Sequence, residues 1–140
     1  MGLDEANLIR IKTDNNGSID IQDLRKTIDR CFIDNKKIFA IVATLGTTVR
    51  GAIDPIKDIS EICKERNIWL HIDGSIGGIF AITSIPIEGL NNINQANSIT
   101  INPQKIIGIT KTSSLLLVSE MSTLENTFST GLPYLSLIHI

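Results

Sequence analysis

Apolar runs that alternate with amphipathic segments are the feature that most restricts the fold of this chain. The stretches KIFAIVAT (residues 37–44) and NIWLHID (residues 67–73) are almost wholly apolar, as expected for strands buried on both faces of a sheet. Between them, apolar side chains recur at helical spacing, at Ile56, Ile59 and Ile62. This alternation predicts the α/β class, with a mostly parallel sheet and helices packed on its faces.

Further segments extend the pattern in both directions. In chain order we predict a strand at 8–11, a turn at 14–17, a helix at 21–32, strands at 98–101 and 114–118, and a helix at 121–130. Asp20 is suited to be the N-cap of the first helix, and Asp54-Pro55 suits the start of the next, with Asp54 as N-cap and Pro55 in the first turn. Asp54 has a second possible role, in which it also braces the threonine loop before it.

Composition excludes several classes of protein. Of the 140 residues, 42% are hydrophobic, which supplies a core and argues against disorder. The net charge of −2 gives no basic footprint, so nucleic acid and anionic membranes are not expected partners. No apolar run approaches the roughly 18 residues that a membrane-spanning helix needs.

The two cysteines, Cys31 and Cys63, fall on the apolar faces of predicted helices and form no metal-binding spacing. We interpret them as reduced core residues. Reduced cysteines are typical of a cytoplasmic protein, and no metal site is predicted.

Polar clusters follow three successive predicted strands. They are Gly46-Thr47-Thr48, Asp73-Gly74-Ser75 and residues 102–105, which read Asn-Pro-Gln-Lys. In parallel sheets ligands bind beyond the carboxyl ends of the strands, so the three clusters together predict one site.

Asp73 and Lys105 carry the chemistry of that predicted site. Asp73 is either a turn residue or a half-buried carboxylate that needs a cation. Lys105 is either solvated or a desolvated amine able to attack a carbonyl. A lysine and a lone aspartate in one α/β crevice suit pyridoxal phosphate, because the amine forms a Schiff base and the carboxylate pairs with the pyridine nitrogen. The glycines of GSIGG would let a flat ligand approach the backbone.

Nearly the whole chain resembles the central part of the group II pyridoxal-phosphate-dependent amino acid decarboxylases, the family of glutamate, aromatic amino acid and cysteine sulfinate decarboxylases. The resemblance rests on AIVATLGTTVRGAIDPIKDISEIC, NIWLHIDGSIGG and NSITINPQKIIGITKTSSLLLV, in the family's order and spacing. It implies part of the large domain of the fold-type I, aminotransferase-like fold. It also implies decarboxylation of an L-amino acid to an amine and carbon dioxide by a homodimer.

The resemblance implies a role for six residues. Lys105 matches the lysine that binds the cofactor covalently, and Asp73 matches the partner of its pyridinium nitrogen. The other cofactor-binding candidates are Thr48, Asn102, Ser75 and His71. His71 lies on the same side of its strand as Asp73 and is either a packed strand residue or a group that orients Asp73.

Three positions depart from the family pattern. Ser75 replaces a small residue beside the ring, Ile76 replaces an aromatic residue, and Gln104 replaces the histidine before the lysine. Glutamine forms hydrogen bonds but carries no proton at neutral pH. The substrate therefore does not follow from the resemblance.

The resemblance also implies that the chain is a fragment. Residues 1–134 match the central part of the large domain, truncated at both ends, and 135–140 (LSLIHI) are interpreted as a non-native tail in which His139 has no role. We expect the isolated chain to lack turnover. Two alternatives stay open: another fold-type I lyase or transferase, and a non-catalytic remnant.

Overall fold

The computed structural model describes residues 4–87, 89–110 and 112–128. Its sheet has four strands in the order β1-β2-β3-β4: β1 (Ala40–Thr44), β2 (Trp69–Asp73), β3 (Ser98–Ile101) and β4 (Leu115–Val118). The first three strands are parallel, and β4 pairs with β3 in the antiparallel direction. The predicted mixed, mostly parallel α/β architecture is confirmed.

Among the described residues, three α-helices accompany the sheet: α1 (Ile21–Ile33), α2 (Ile56–Arg66) and α3 (Met121–Phe128). Short 3₁₀ turns occur at Glu5–Asn7, Gly77–Ile82, Leu90–Gln95 and Pro103–Lys105. Asp20 caps α1 as predicted, because its side chain accepts hydrogen bonds from the backbone N–H groups of Gln22 and Asp23. The helix predicted over 121–130 is described as far as Phe128, and its last two residues lie outside the described residues.

The strand predicted at 8–11 is wrong. These residues are extended but unpaired within the described part of the chain, with Leu8 66% exposed. The segment instead runs beside α1, where the N–H of Lys12 donates to the carboxylate of Asp23. The predicted turn after it is confirmed, since the Asp14 side chain accepts from the N–H groups of Asn16 and Ser18.

The two faces of the sheet differ sharply. The helix-covered face packs on α1 and α2 and consists of Ile41, Ala43, Leu70, Ile72, Ile99 and Ile101, all buried. The open face includes Val42, Thr44, Trp69, His71, Asp73, Ser98 and Thr100, which the strand register places side by side. Val42 is 58% exposed there, so the prediction of strands buried on both faces is wrong for the described chain.

Both cysteines lie in the hydrophobic core. Cys31 and Cys63 are free and buried, as predicted. Burial raises the pKa of the Cys63 thiol to about 11, so the thiol stays protonated and unreactive at neutral pH. No helix among the described residues is long and apolar enough to cross a membrane.

Candidate active site

The carboxyl ends of β1, β2 and β3 lie side by side at one edge of the sheet. The register pairs Thr44 with Asp73, and Asp73 with Thr100, at or next to the last residue of each strand. The loops that follow therefore carry all three predicted polar clusters to the same edge. This juxtaposition was predicted from the strand pattern alone.

Asp73 is the acidic group of the edge. It ends β2 partly buried, and its Oδ1 accepts a hydrogen bond from the N–H of Ser75 at 3.0 Å. Burial alone would raise its pKa, but hydrogen bonding from Ser75 and the positive charge of Lys105 outweigh it, and the pKa lies below its usual value. Asp73 is therefore ionised at neutral pH and suited to hold a cation.

Lys105 ends the 3₁₀ turn that follows β3. Its backbone N–H donates to the carbonyl of Asn102 at 3.1 Å, and its side chain is exposed. Of the two alternatives for this lysine, the solvated one is the arrangement observed in the described chain. Its positive charge nevertheless contributes to the lowered pKa of Asp73, which lies at the end of the neighbouring strand.

The threonine loop after β1 is held by its own backbone. The N–H groups of Gly46 and Thr47 both donate to the carbonyl of Ala52, and the Thr47 hydroxyl accepts from the N–H of Ala52 at 2.9 Å. Gly46 has a φ of 85°, which favours glycine. Thr48 is exposed at the tip of this loop, where its hydroxyl is accessible to a ligand.

Asp54 does not cap α2, so that prediction is wrong. Pro55 occupies the N-cap position without a side-chain cap, and Asp54 is directed to two other segments. Its carboxylate accepts from the N–H of Ile19 at 2.7 Å and from the N–H of Thr44 at 2.6 Å. The alternative in which Asp54 braces the threonine loop agrees with the contact to Thr44, the last residue before that loop.

The glycines after Asp73 are closely packed against neighbouring segments. A Cβ on Gly74 would lie 3.0 Å from the carbonyl oxygen of Thr100, and one on Gly78 would lie 2.9 Å from Ile101. Gly77 is buried against the carbonyl of Leu45, to which its N–H donates. Protein atoms therefore occupy the space that a side chain would take at these glycines, and the approach of a flat ligand to their backbone stays a prediction.

The residues before Lys105 contact the segment leading into β4. Asn102 accepts a hydrogen bond from the Ser114 hydroxyl at 3.1 Å, and Gln104 accepts one from the Ser113 hydroxyl at 3.3 Å. Gln104 thus has a structural partner of its own. Ile76 is partly buried below the threonine loop, where its methyl group approaches the position of Gly46.

His71 has partners that the sequence did not reveal. It makes no hydrogen bond to Asp73; instead its Nδ1 lies 2.8 Å from the Ser98 hydroxyl and its Nε2 lies 3.3 Å from the Thr100 hydroxyl. The indole N–H of Trp69 donates to the same Ser98 oxygen at 2.9 Å. Ser98, Thr100 and Trp69 were not predicted as site residues, although their alternation in the strand sequences SITI and WLHID was a usable signal.

The donor set suits pyridoxal phosphate. An ionised carboxylate, an accessible amine and exposed hydroxyl and amide groups converge on the edge where the sheet is open. Asp73 matches a protonated ring nitrogen and Lys105 matches an aldehyde carbon. Among the described residues no group of three histidine, cysteine or acidic side chains is placed to hold a metal ion.

A cavity of about 560 Å³ lies elsewhere, at the opposite end of β1. It is lined mainly by apolar side chains of the N-terminal segment, α1 and β1, among them Leu8, Ile28 and Phe39. The charged residues in its lining are Asp4, Arg10, Lys36 and Lys37, and no residue of the three polar clusters lines it. The polar edge, not this cavity, is the candidate active site.

Comparison with known proteins agrees with the geometry. The family model described as the pyridoxal-dependent decarboxylase conserved domain matches residues 3–139. An acidic amino acid decarboxylase of Mus musculus, GADL1, is 34% identical over 137 residues, which is 96% of this chain and 25% of that protein. This chain thus spans about a quarter of the length of that relative.

Two solved structures share the fold. The 4-hydroxyphenylacetaldehyde synthase of Rhodiola rosea is 25% identical with a TM-score of 0.81, over 94% of this chain and 28% of that one. The Oryza sativa TDC, solved with PLP and tryptamine, superposes with a TM-score of 0.87 at 24% identity, over 96% of this chain and 28% of that one. The second likeness bears on the fold alone.

These findings confirm the predicted family, its fold and its cofactor class. The match extends over nearly all of the sequence. The chain belongs to the pyridoxal-dependent decarboxylase family.

Proposed function

We propose that the whole protein to which these residues belong is a carboxy-lyase that converts an L-amino acid to an amine and carbon dioxide with pyridoxal phosphate. One observation supports this most strongly. The ionised carboxylate of Asp73 and the amine of Lys105 lie at the ends of neighbouring parallel strands, and the positive charge of Lys105 helps to lower the pKa of Asp73. Family membership supplies the reaction class.

Asp73 and Lys105 have different roles in this reaction. Pyridoxal phosphate, when bound, supplies the electron sink for the electrons left on the α-carbon as carbon dioxide departs. Asp73 keeps a proton on the ring nitrogen, because an ionised carboxylate with a low pKa stabilises the positive charge there. Lys105 would hold the cofactor through its amine.

The remaining site residues position the cofactor. We assign Thr48 and Asn102 to polar contacts with it, since both carry a polar group on a loop at the site edge. Ser75 holds the Asp73 carboxylate through its N–H. We place His71 beside Asp73 on the open face as a residue that influences the charge of the carboxylate.

Cofactor binding is the first test. The purified 140-residue chain is mixed with pyridoxal phosphate, its visible absorbance is recorded, and the mixture is reduced with borohydride and mapped by mass spectrometry. We expect the cofactor to become attached to Lys105. Attachment spread over several surface lysines, without preference for Lys105, would contradict the assignment.

A matched pair of variants sharpens this test. Lys105→Ala should abolish the specific label, whereas Lys57→Ala, on the exposed surface of α2, should leave it unchanged. Asp73→Asn should leave the labelling of Lys105 possible. In a longer protein that includes these residues, the same Asp73→Asn change should reduce decarboxylation by several orders of magnitude, and full activity in that variant would overturn the role of Asp73.

The substrate class is a separate question. The relatives include an acidic amino acid decarboxylase, and a structural neighbour is a 4-hydroxyphenylacetaldehyde synthase. That neighbour favours a second candidate function, in which the product is an aldehyde rather than an amine. Product analysis with acidic and aromatic amino acids separates the two: amine and carbon dioxide support the decarboxylase, and aldehyde supports the alternative.

We also propose that residues 1–134 form the central part of a large domain in a cytoplasmic homodimer. The exposed apolar side chains of the sheet and its edges, such as Val42, Leu115 and Leu116, support a covering partner. The two free, buried cysteines support a reducing compartment. Sedimentation of the longer protein tests the dimer, and fluorescence microscopy of a tagged form tests the location.

A further inference from the structure

A hydrogen-bonded ladder crosses the open face of the sheet beside the candidate site. It consists of Trp69, Ser98, His71 and Thr100, with heavy-atom separations of 2.9, 2.8 and 3.3 Å along the series. Ser98 is 7% exposed, so the hydroxyl at the centre of the ladder is largely screened from water. Each of these contacts joins residues that are at least 27 positions apart in the sequence.

The direction of the ladder follows from the chemistry of its groups. An indole nitrogen only donates, so Trp69 donates to the Ser98 oxygen. Ser98 then has one hydrogen of its own, and among the described residues its acceptor is Nδ1 of His71. An imidazole whose Nδ1 accepts must carry its hydrogen on Nε2 when neutral, and that hydrogen is directed to the hydroxyl of Thr100.

We propose that Ser98, oriented by Trp69, is a positioning residue that holds His71 in its neutral tautomer with the hydrogen on Nε2. A protonated ring would donate from Nδ1 to Ser98. The buried Ser98 hydroxyl would then accept from two donors and have no acceptor for its hydrogen within the described residues. The ladder therefore favours the uncharged ring.

An uncharged His71 matters because of its neighbour. His71 and Asp73 lie two residues apart on the same face of β2, close enough that a positive charge on the ring would act on the Asp73 carboxylate. A charged ring would compete with the positive charge of a bound ligand for that carboxylate. The neutral tautomer keeps the full charge of Asp73 available to the ligand, a consequence that rests on the proposed function.

The tautomer is measured by nitrogen-15 NMR of the histidine rings in the 140-residue chain without cofactor at neutral pH. The chain has two histidines and one tryptophan, so the signals are few, and His139→Gln identifies those of His71. We expect Nδ1 of His71 to resonate as an unprotonated nitrogen and Nε2 as a protonated one. The opposite assignment, or a doubly protonated ring, overturns the proposal.

Three variants separate positioning from simple structural support. Ser98→Ala should make the two ring nitrogens exchange-averaged and shift the Trp69 indole proton to lower frequency, whereas Ser98→Thr should restore both signals. Thr100→Val should preserve the tautomer, because Ser98 still donates to Nδ1. Ser60→Ala removes a similarly buried, hydrogen-bonded hydroxyl on α2 and should leave His71 unchanged.

A wild-type tautomer that persists in Ser98→Ala, with the methyl spectrum of the fold retained, overturns the role of Ser98. If Ser98→Ala unfolds the chain, the Ser98→Thr and Thr100→Val spectra decide, because only the proposal predicts the same tautomer in both. If the chain binds pyridoxal phosphate, Ser98→Ala should weaken its affinity for the cofactor by about threefold to tenfold, as expected for the loss of one hydrogen bond. Failure of all binding would count against the proposed function and leave the tautomer result intact.

Discussion

The helix-covered face and the open face of the sheet alternate residue by residue along the same strands, yet they contribute different properties. On β2, Leu70 and Ile72 are 1% and 0% exposed and pack on α1 and α2. His71 and Asp73, between and after them, form hydrogen bonds and carry charge on the other side. Stability is therefore concentrated on one face and the candidate chemistry on the other, so each can be altered separately.

The largest expected effect comes from truncating one side chain on each face. Ile72→Ala on the covered face should cost about 2–5 kcal/mol of unfolding free energy, because it leaves a cavity in the core. Val42→Ala on the open face should cost about 0.5 kcal/mol or less, because that side chain is exposed. Urea unfolding followed by the fluorescence of Trp69 measures both.

Equal losses of unfolding free energy in Ile72→Ala and Val42→Ala would contradict the difference between the two faces. They would mean that Val42 is also packed, and self-association of the chain through the open face is one way to pack it. Repeating the Val42→Ala measurement at several protein concentrations tests this, since a loss caused by association grows with concentration.

The second expected effect concerns the buried carboxylate of Asp54. Asp54→Asn keeps one acceptor oxygen but presents an amide to the second N–H donor, at Ile19 or Thr44. One buried donor is left unpaired, which should cost about 1–3 kcal/mol at neutral pH. Urea unfolding of the wild type and the variant at several pH values measures the difference.

The sign of the pH dependence follows from the pKa of Asp54. Burial raises that pKa against the opposing hydrogen bonds from Thr44 and Ile19, with a further increase from the charge of Asp14. A raised pKa in the folded state means that the contribution of Asp54 to stability is fully present below the unfolded pKa and is lost as the pH rises through the folded value. The advantage of the wild type over Asp54→Asn should therefore widen toward acid pH, and a narrowing would show that the hydrogen bonds outweigh burial.

Local patterns explain which parts of the fold could be predicted. The strand over 98–101, the cap at Asp20 and the buried stripe of α2 all depend on residues a few positions apart, and all are confirmed. The meeting of three polar clusters was also predictable, because the ends of parallel strands share one edge. The family match confirms the cofactor class that these clusters suggested.

The wrong predictions share a dependence on distant partners. Asp54 was expected to cap the helix next to it, but it bonds to Ile19, 35 positions away. The segment at 8–11 has no pairing strand within the described chain. A local sequence pattern does not show whether such a partner exists. The ladder from Trp69 to Ser98 spans 29 positions, so only the register of β2 and β3 reveals it.

A smaller effect should arise at Asp73 on the open face. Its pKa is lowered: burial acts to raise it, but hydrogen bonding from Ser75 and the positive charge of Lys105 prevail. A lowered pKa means that stability is present above the unfolded pKa and is lost as the pH falls through the folded value. As the pH falls through the range in which Asp73 titrates, the wild type should therefore lose more stability than Asp73→Asn, by an amount limited by solvent screening.

The Asp73 measurement sharpens the comparison because the two aspartates should respond to acid in opposite directions. As the pH falls, the stability of the wild type relative to Asp54→Asn should increase. Its stability relative to Asp73→Asn should decrease. A shared direction would mean that the pKa values of the two carboxyl groups are not shifted in opposite directions. The same urea series, run on both variants in one set of buffers, decides.

The smallest effect is expected on the outer surface of the helices, away from both faces of the sheet. Arg66 of α2 contacts Asp29 of α1 at 2.8 Å, and its guanidinium lies 5.2 Å from the centre of the Phe32 ring. Both charged side chains are about half exposed, so Asp29→Asn should cost only a few tenths of a kcal/mol. The cost should shrink further in about 1 M salt, where the Debye length falls to about 3 Å, comparable with this separation. A loss comparable with that of Ile72→Ala, unaffected by salt, would show that contacts outside the core also hold the two helices together.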